Sequence, residues 1–258
     1  MKLNITLLLL TGMILFSPEA HAQEPLASNV YRWAAISAER TGSGEHRQFI
    51  DGSTQTLQTL KVHATTLHPG EKSLGSRSHD NVEQLIIVKS GNISVTMNGS
   101  TKTLGHGSVV LASTGDMYSV YNAAETPASY FVIQWVAKNP ASSQGPSVKS
   151  SFMADYAAMD FRETAKGGRR QVMRAPTETL QDFAMHITTL NEGVTSHGQH
   201  THTDEEIILV LKGEVEELIK DRPHRLGQGG LIFLKSGDPH GIRNAGKGQC
   251  EYYAIRWN

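Results

Sequence analysis

Four side chains in the C-terminal part of the chain have the types and spacing of a metal site: His200, His202, Glu206 and His240. The run His200-Thr201-His202-Thr203-Asp204-Glu205-Glu206 leads into the apolar stretch Ile207-Ile208-Leu209-Val210-Leu211, and His240 follows the turn Ser236-Gly237-Asp238-Pro239. Side chains alternate along extended chain, so His200 and His202 project to one face and Glu206 keeps that parity. A strand returning antiparallel after Gly229 brings His240 opposite them. Imidazole nitrogens with one carboxylate oxygen suit Mn, Fe, Ni, Co or Zn, and an octahedral shell with four protein donors leaves two positions for water, substrate or dioxygen. Glu205, of opposite parity, reads as solvated or salt-bridged. His197 reads either as an acid–base group beside the site or as an exposed loop residue.

The elements that must hold these groups are short. Leu85-Ile86-Ile87-Val88, Val109-Val110-Leu111, Ile207 to Leu211 and Leu231-Ile232-Phe233-Leu234 are apolar runs separated by Gly, Asn and Asp turns, the pattern of an all-β sandwich or barrel. Only Ser151 to Met159 reads as a short helix. The chain also matches itself. Thr41 to His79 falls on Thr164 to His202 at an offset of 123, and Val82 to Trp135 falls on Asp204 to Trp257 at 122, with about three positions in ten identical. Gly91, Asn122 and Trp135 thereby meet Gly213, Asn244 and Trp257. A period this long means two tandem domains rather than a solenoid.

The organisation expected is a leader over residues 1–22, an N-terminal domain over 23–138, a Pro/Gly/Ser-rich linker over 139–152 and a C-terminal domain over 153–258. Lys2, the apolar run from Leu7 to Phe16 and Ala20-His21-Ala22 have the features of a secretory signal cleaved after Ala22, which places the mature protein in the periplasm or outside the cell. With 24 basic and 25 acidic side chains among 258 residues, no basic surplus exists to neutralise nucleic acid or an anionic membrane. The single Cys250 cannot form an internal disulfide and reads as a small buried side chain.

His200-x-His202-x-x-x-Glu206-x-x-x-x-x-x-Gly213, followed by Gly229-x-x-x-x-x-Lys235-x-Gly237-x-x-His240-x-x-x-Asn244, closely resembles the paired motifs of the cupin superfamily. Lys235 stands where the family usually has proline. The resemblance covers both copies and implies a bicupin: two tandem jelly-roll (double-stranded β-helix) barrels. It also implies that His200, His202, Glu206 and His240 bind one divalent transition metal. In the first copy the corresponding residues are Arg77, His79, Gln84 and Tyr118. A guanidinium has no lone pair to give, and an amide or neutral phenol is a weak ligand, so this barrel reads as having lost its metal. Arg77, His79, Gln84 and Tyr118 then either line a polar pocket or belong to a purely structural barrel.

His63 and His186 occupy equivalent strand positions and read as pocket-facing or as hydrogen-bonded to backbone. Arg47 and Arg170 read as ion-paired at a strand edge or as anchors for a carboxylate substrate. The functions that follow are a metal-dependent enzyme acting on a small oxygen-rich molecule, of dioxygenase, decarboxylase, lyase or isomerase type, with Glu206 and His197 as acid–base candidates. The alternatives are a non-catalytic ligand- or sugar-binding protein with a structural metal, and a partner domain in a secreted complex. Two barrels in one chain imply a monomer or a homodimer.

Overall fold

The computed structural model describes residues 24–74, 81–140 and 150–258. The proposed leader lies outside the described residues, as do Arg77 and His79. The described chain is almost entirely antiparallel β-structure, arranged as two barrels of the same topology. In the first, a seven-stranded sheet runs Phe152–Ala154, Val109–Ala112, Glu83–Ser90, Ala128–Ala137, Leu57–Leu67, Gly44–Gly52, Glu39–Thr41. It faces a four-stranded sheet of Lys72–Leu74, Tyr118–Tyr121, Ile93–Met97 and Ser100–Leu104. In the second, Asn29–Tyr31, Leu231–Leu234, Glu205–Lys212, Cys250–Trp257, Phe183–Leu190, Gly167–Arg174 and Phe161–Thr164 form the large sheet, which faces Arg222–Gly227, Glu214–Ile219 and His240–Asn244.

The two barrels exchange edge strands. Asn29–Tyr31, before the first barrel, pairs with Leu231–Leu234 of the second, and Phe152–Ala154, before the second, pairs with Val109–Ala112 of the first. The helix expected over Ser151 to Met159 is therefore a strand followed by one 3-10 turn, Tyr156–Ala158, capped by the Asp155 side chain. A helix this short is marginal in water, whereas an open sheet edge supplies backbone partners.

Strand parity explains the apolar runs. In Glu205–Lys212, Ile207, Leu209 and Leu211 join the core between the two large sheets, while Ile208 and Val210 point into the second barrel. Leu85 and Ile87 against Ile86 and Val88 repeat this in the first barrel. Strands buried on both faces read as continuous hydrophobic stretches rather than alternating ones.

The same parity turns Glu205 toward the other barrel, which corrects the expectation that it is solvated or salt-bridged. It is fully buried and accepts hydrogen bonds from Thr54 Oγ1 (2.6 Å), the Gln55 and Thr56 amides (2.9 and 3.2 Å), Thr56 Oγ1 (2.5 Å) and Trp257 Nε1 (3.2 Å). Its counterpart Glu83 accepts from Thr177, Thr179 and the Glu178 and Thr179 amides of the second barrel. The barrels are thus joined by two pseudo-symmetric carboxylate latches around an apolar interface. Cys250 is buried. Arg47 and Arg170 lie 3.8 Å from Glu45 and Glu251, and each also stacks on an aromatic ring, Trp33 and Tyr156 respectively.

Candidate metal centre and its cavity

His200 and His240 form an isolated antiparallel bridge, each amide donating to the other's carbonyl at 3.0 Å. The Gly237 amide donates to the His202 carbonyl at 2.9 Å, so the two ligand-bearing loops are fastened to each other through backbone. Asn244 secures the surrounding turns by donating to the carbonyls of Leu190, Asn191 and Gly248, which accounts for the asparagine at this point of the motif. The N-terminal arm buttresses the turn before His240: Ser28 Oγ donates to Asp238 Oδ2 at 2.7 Å and accepts from the Lys235 amide at 2.9 Å. Proline at position 235 could not donate that second bond. In the first barrel Ser151, Ser113 and Asp116 repeat the device.

The four sequence-nominated donors meet at this point. Nitrogen atoms of His200, His202 and His240 lie within 4.8 Å of one another, and Glu206 Oε2 lies 3.2 Å from His202 Nε2 and 3.5 Å from His240 Nε2. The Nδ1 atoms of His202 and His240 contact the carbonyls of Asp204 (2.9 Å) and Asp238 (2.8 Å), which sets the proton on Nδ1 and turns each Nε2 lone pair inward. His240 Nε2 and His200 Nδ1 are buried without a hydrogen-bond partner. Orphaned nitrogens, oriented imidazoles and one carboxylate are the donor set that a divalent transition metal satisfies. Burial opposes ionisation of Glu206, but the neighbouring imidazoles of His202 and His240 outweigh it and hold the carboxyl down at about 2. The bond to Glu206 raises His202, whereas burial and the neighbouring imidazoles lower His200.

These groups line a cavity of about 330 Å³. Its walls include Leu190, Ile208, Ile242 and Ala254, with Lys166, Arg169 and Arg256 as cationic lining groups. Burial, with the like charges of Arg256 and Arg174, lowers Arg169 from a very basic starting value. His197 is exposed, also lines the cavity, and sits edge-on to His200 with ring centroids 4.1 Å apart. His186 lines it too, and its Nδ1 is buried without a partner. In the first barrel Tyr118 donates to Gln84 Oε1 at 2.7 Å, while Gln84 Nε2 is buried without a hydrogen-bond partner. Lys166, Arg169, Arg256 and the buried Glu217 of the cavity wall escaped the motif-based reading. Comparing copies exposes two of them, since Gln134 and Val95 stand at the positions of Arg256 and Glu217.

Burial, and then the charge of Arg169, lowers His186 to about 4; burial and then His46 do the same to His63. Both are neutral in the folded protein at pH 7. As pH falls below about 6.5 the unfolded chain takes up these protons first, so their contribution is complete above that value and is lost toward pH 4. Each is expected to remove on the order of 1–3 kcal/mol across that window. His63→Gln should make the denaturant midpoint between pH 6.5 and 4 less steep in pH, and an unchanged profile would contradict this.

A cupin-domain family model matches residues 63–134 and 186–256, more than half of the chain, and the protein belongs to the cupin family. It carries the domain twice and is a bicupin. Protein YlbA from E. coli superimposes with a TM-score of 0.70 at 14% identity, covering 90% of this chain and 91% of that one. The putative glyoxylate-induced protein from Pseudomonas aeruginosa gives 0.71 at 16%, covering 94% and 93%. The formate complex of Lactobacillus farciminis oxalate decarboxylase gives 0.68 at 12%, covering 91% and 88%. At identities this low the superpositions show a shared fold alone. No curated protein matches the chain by sequence.

Proposed function

We propose that this bicupin is a secreted, metal-dependent enzyme that acts on a small, oxygen-rich organic acid in its second barrel. The observation that carries the reading is the convergence of His200, His202, Glu206 and His240 on a cavity lined by Lys166, Arg169 and Arg256. Those four residues would hold the ion; bound there, a divalent metal supplies Lewis acidity that fixes and polarises a carboxylate or hydroxyl oxygen. The cationic groups attract and orient an anion, and the apolar wall of Ile208, Ile242 and Ala254 limits water beside it. The cavity suits a small molecule. His197, at the exposed edge of the site, is placed to exchange protons with solvent. The oxalate decarboxylase among the structural neighbours is named for a substrate of this class and was crystallised with formate. The leader ending at Ala22 supports secretion, and the two fused barrels support a monomer or homodimer.

The test loads mature protein in turn with Mn, Fe(II), Ni, Co and Zn and supplies oxalate, glyoxylate, glycolate and malonate. Carbon dioxide release, dioxygen uptake and proton NMR follow any reaction. Turnover with one metal, absent in His240→Ala, supports the enzyme. Tight binding without turnover under every metal would replace it with a ligand-binding protein.

A further inference from the structure

Five carboxylates are buried among the described residues: Glu83, Glu205, Glu206, Glu217 and Asp238. Four have partners. Glu83 and Glu205 are held by threonines and amides of the opposite barrel, Glu206 by two imidazoles, and Asp238 by Ser28 and Lys220. Glu217 is 1% exposed, and neither of its oxygens accepts a well-formed hydrogen bond, although the Gly241 amide approaches the carboxyl. It sits mid-strand in Glu214–Ile219 and lines the cavity, on the inward parity of Val215 and Ile219. The adjacent Glu216, of outward parity, is paired with Arg225 and Arg243.

An unpartnered buried carboxyl costs folding free energy, and nothing in the barrel architecture calls for it. The first barrel has Val95 at this position, buried in its apolar cluster. The opposing residue across the strand pair, Ile242, is Val120 in the first barrel, so the surroundings are conserved in kind while the carboxyl is particular to the barrel that carries the metal-ligand set. Burial and then the charge of Glu206 raise Glu217 well above the usual carboxylate range, with the Gly241 amide acting weakly in the other direction. A neutral acid offers both a donor and an acceptor.

We propose that Glu217 is a substrate-binding residue whose carboxyl hydrogen-bonds, from the cavity wall, a second oxygen group of a small acid whose first carboxylate is held by the metal site and the cationic lining. The proposal rests on the reading of that cavity as a carboxylate site. It restricts the ligand class to acids with a further oxygen function, such as hydroxy acids, oxo acids and short dicarboxylates, over simple monocarboxylates.

The test compares mature, Mn-loaded wild type with Glu217→Val, which installs the first barrel's residue, and Glu217→Gln, which keeps a hydrogen-bonding end. Metal content and melting temperature are measured on each, and oxalate, glycolate and acetate are titrated by calorimetry. Glu217→Val is expected to weaken oxalate and glycolate roughly 10- to 100-fold and to leave acetate unchanged. Glu217→Gln is expected to stay within about threefold of wild type for all three. Unchanged oxalate and glycolate affinity in Glu217→Val overturns the proposal while leaving the carboxylate site intact. Equal losses for all three acids, or loss of metal in both Glu217→Val and Glu217→Gln, would make Glu217 structural and also overturn it. Wild type that binds none of the acids would remove the carboxylate site itself.

Discussion

Protein carrying His240→Ala or Glu206→Gln is expected to lose its bound metal on dialysis, while wild type retains about one equivalent per chain. His240 is buried, its Nδ1 is committed to the Asp238 carbonyl at 2.8 Å, and its Nε2 has no other partner than the cluster it faces. Removing it deletes one donor and leaves Glu206 Oε2 with the single imidazole of His202 at 3.2 Å. Glu206→Gln keeps the shape but replaces an anionic oxygen by a weak neutral ligand. Partners that merely orient a metal-binding side chain are worth roughly 10- to 100-fold in affinity, so deleting a ligand should exceed roughly 100-fold. Elemental mass spectrometry reads the result directly. Tyr118→Phe in the first barrel should leave the metal content unchanged, and two equivalents in wild type would show that the first barrel binds metal after all.

Glu205→Ala is expected to have the largest effect on stability, although it touches no ligand. The substitution leaves the Thr54 and Thr56 hydroxyls and the Gln55 and Thr56 amides facing an apolar gap between the barrels, where water cannot readily replace the carboxylate. Leaving buried donors unsatisfied costs about 1–3 kcal/mol each, and the loss of several of them is expected to lower the melting temperature of a chain of this size by roughly 10 °C or more. Asp51→Ala is the control, because Asp51 is exposed and pairs with Lys61 at 3.4 Å; a surface pair contributes at most about 1 kcal/mol. Scanning calorimetry of both variants decides the matter. A Glu205→Ala transition within about 3 °C of wild type would mean that the apolar interface alone holds the barrels together.

Much of this molecule is legible in its residues because a short, two-sided strand leaves a distinct trace. The run Ile207 to Leu211 can be buried only with both faces covered, and the parity of His200, His202 and Glu206 aims them together wherever the chain is extended. The self-match placed Gln84 and Tyr118 where Glu206 and His240 stand, and the structure closes that pair with a hydrogen bond. Glu205 was misjudged because parity says only that it faces away from Glu206, while its environment depends on what covers that side. Ser151 to Met159 was misjudged because an edge strand takes its hydrogen bonds from another segment, Val109–Ala112, far away in sequence.

The division between the two levels follows from the range of the interactions. Alternation, turn glycines and motif spacing are local, so the amino-acid sequence alone determines the strands, their duplication and which four side chains are nominated as donors. The structure decides what depends on distant segments meeting. That includes the exchange of edge strands, the Ser28 buttress beneath His240, the threonine cradle of Glu205 and the isolation of Glu217 in the cavity wall. The hydroxyl and amide partners of Glu205 lie 149 to 151 residues away along the chain, and no local pattern encodes them.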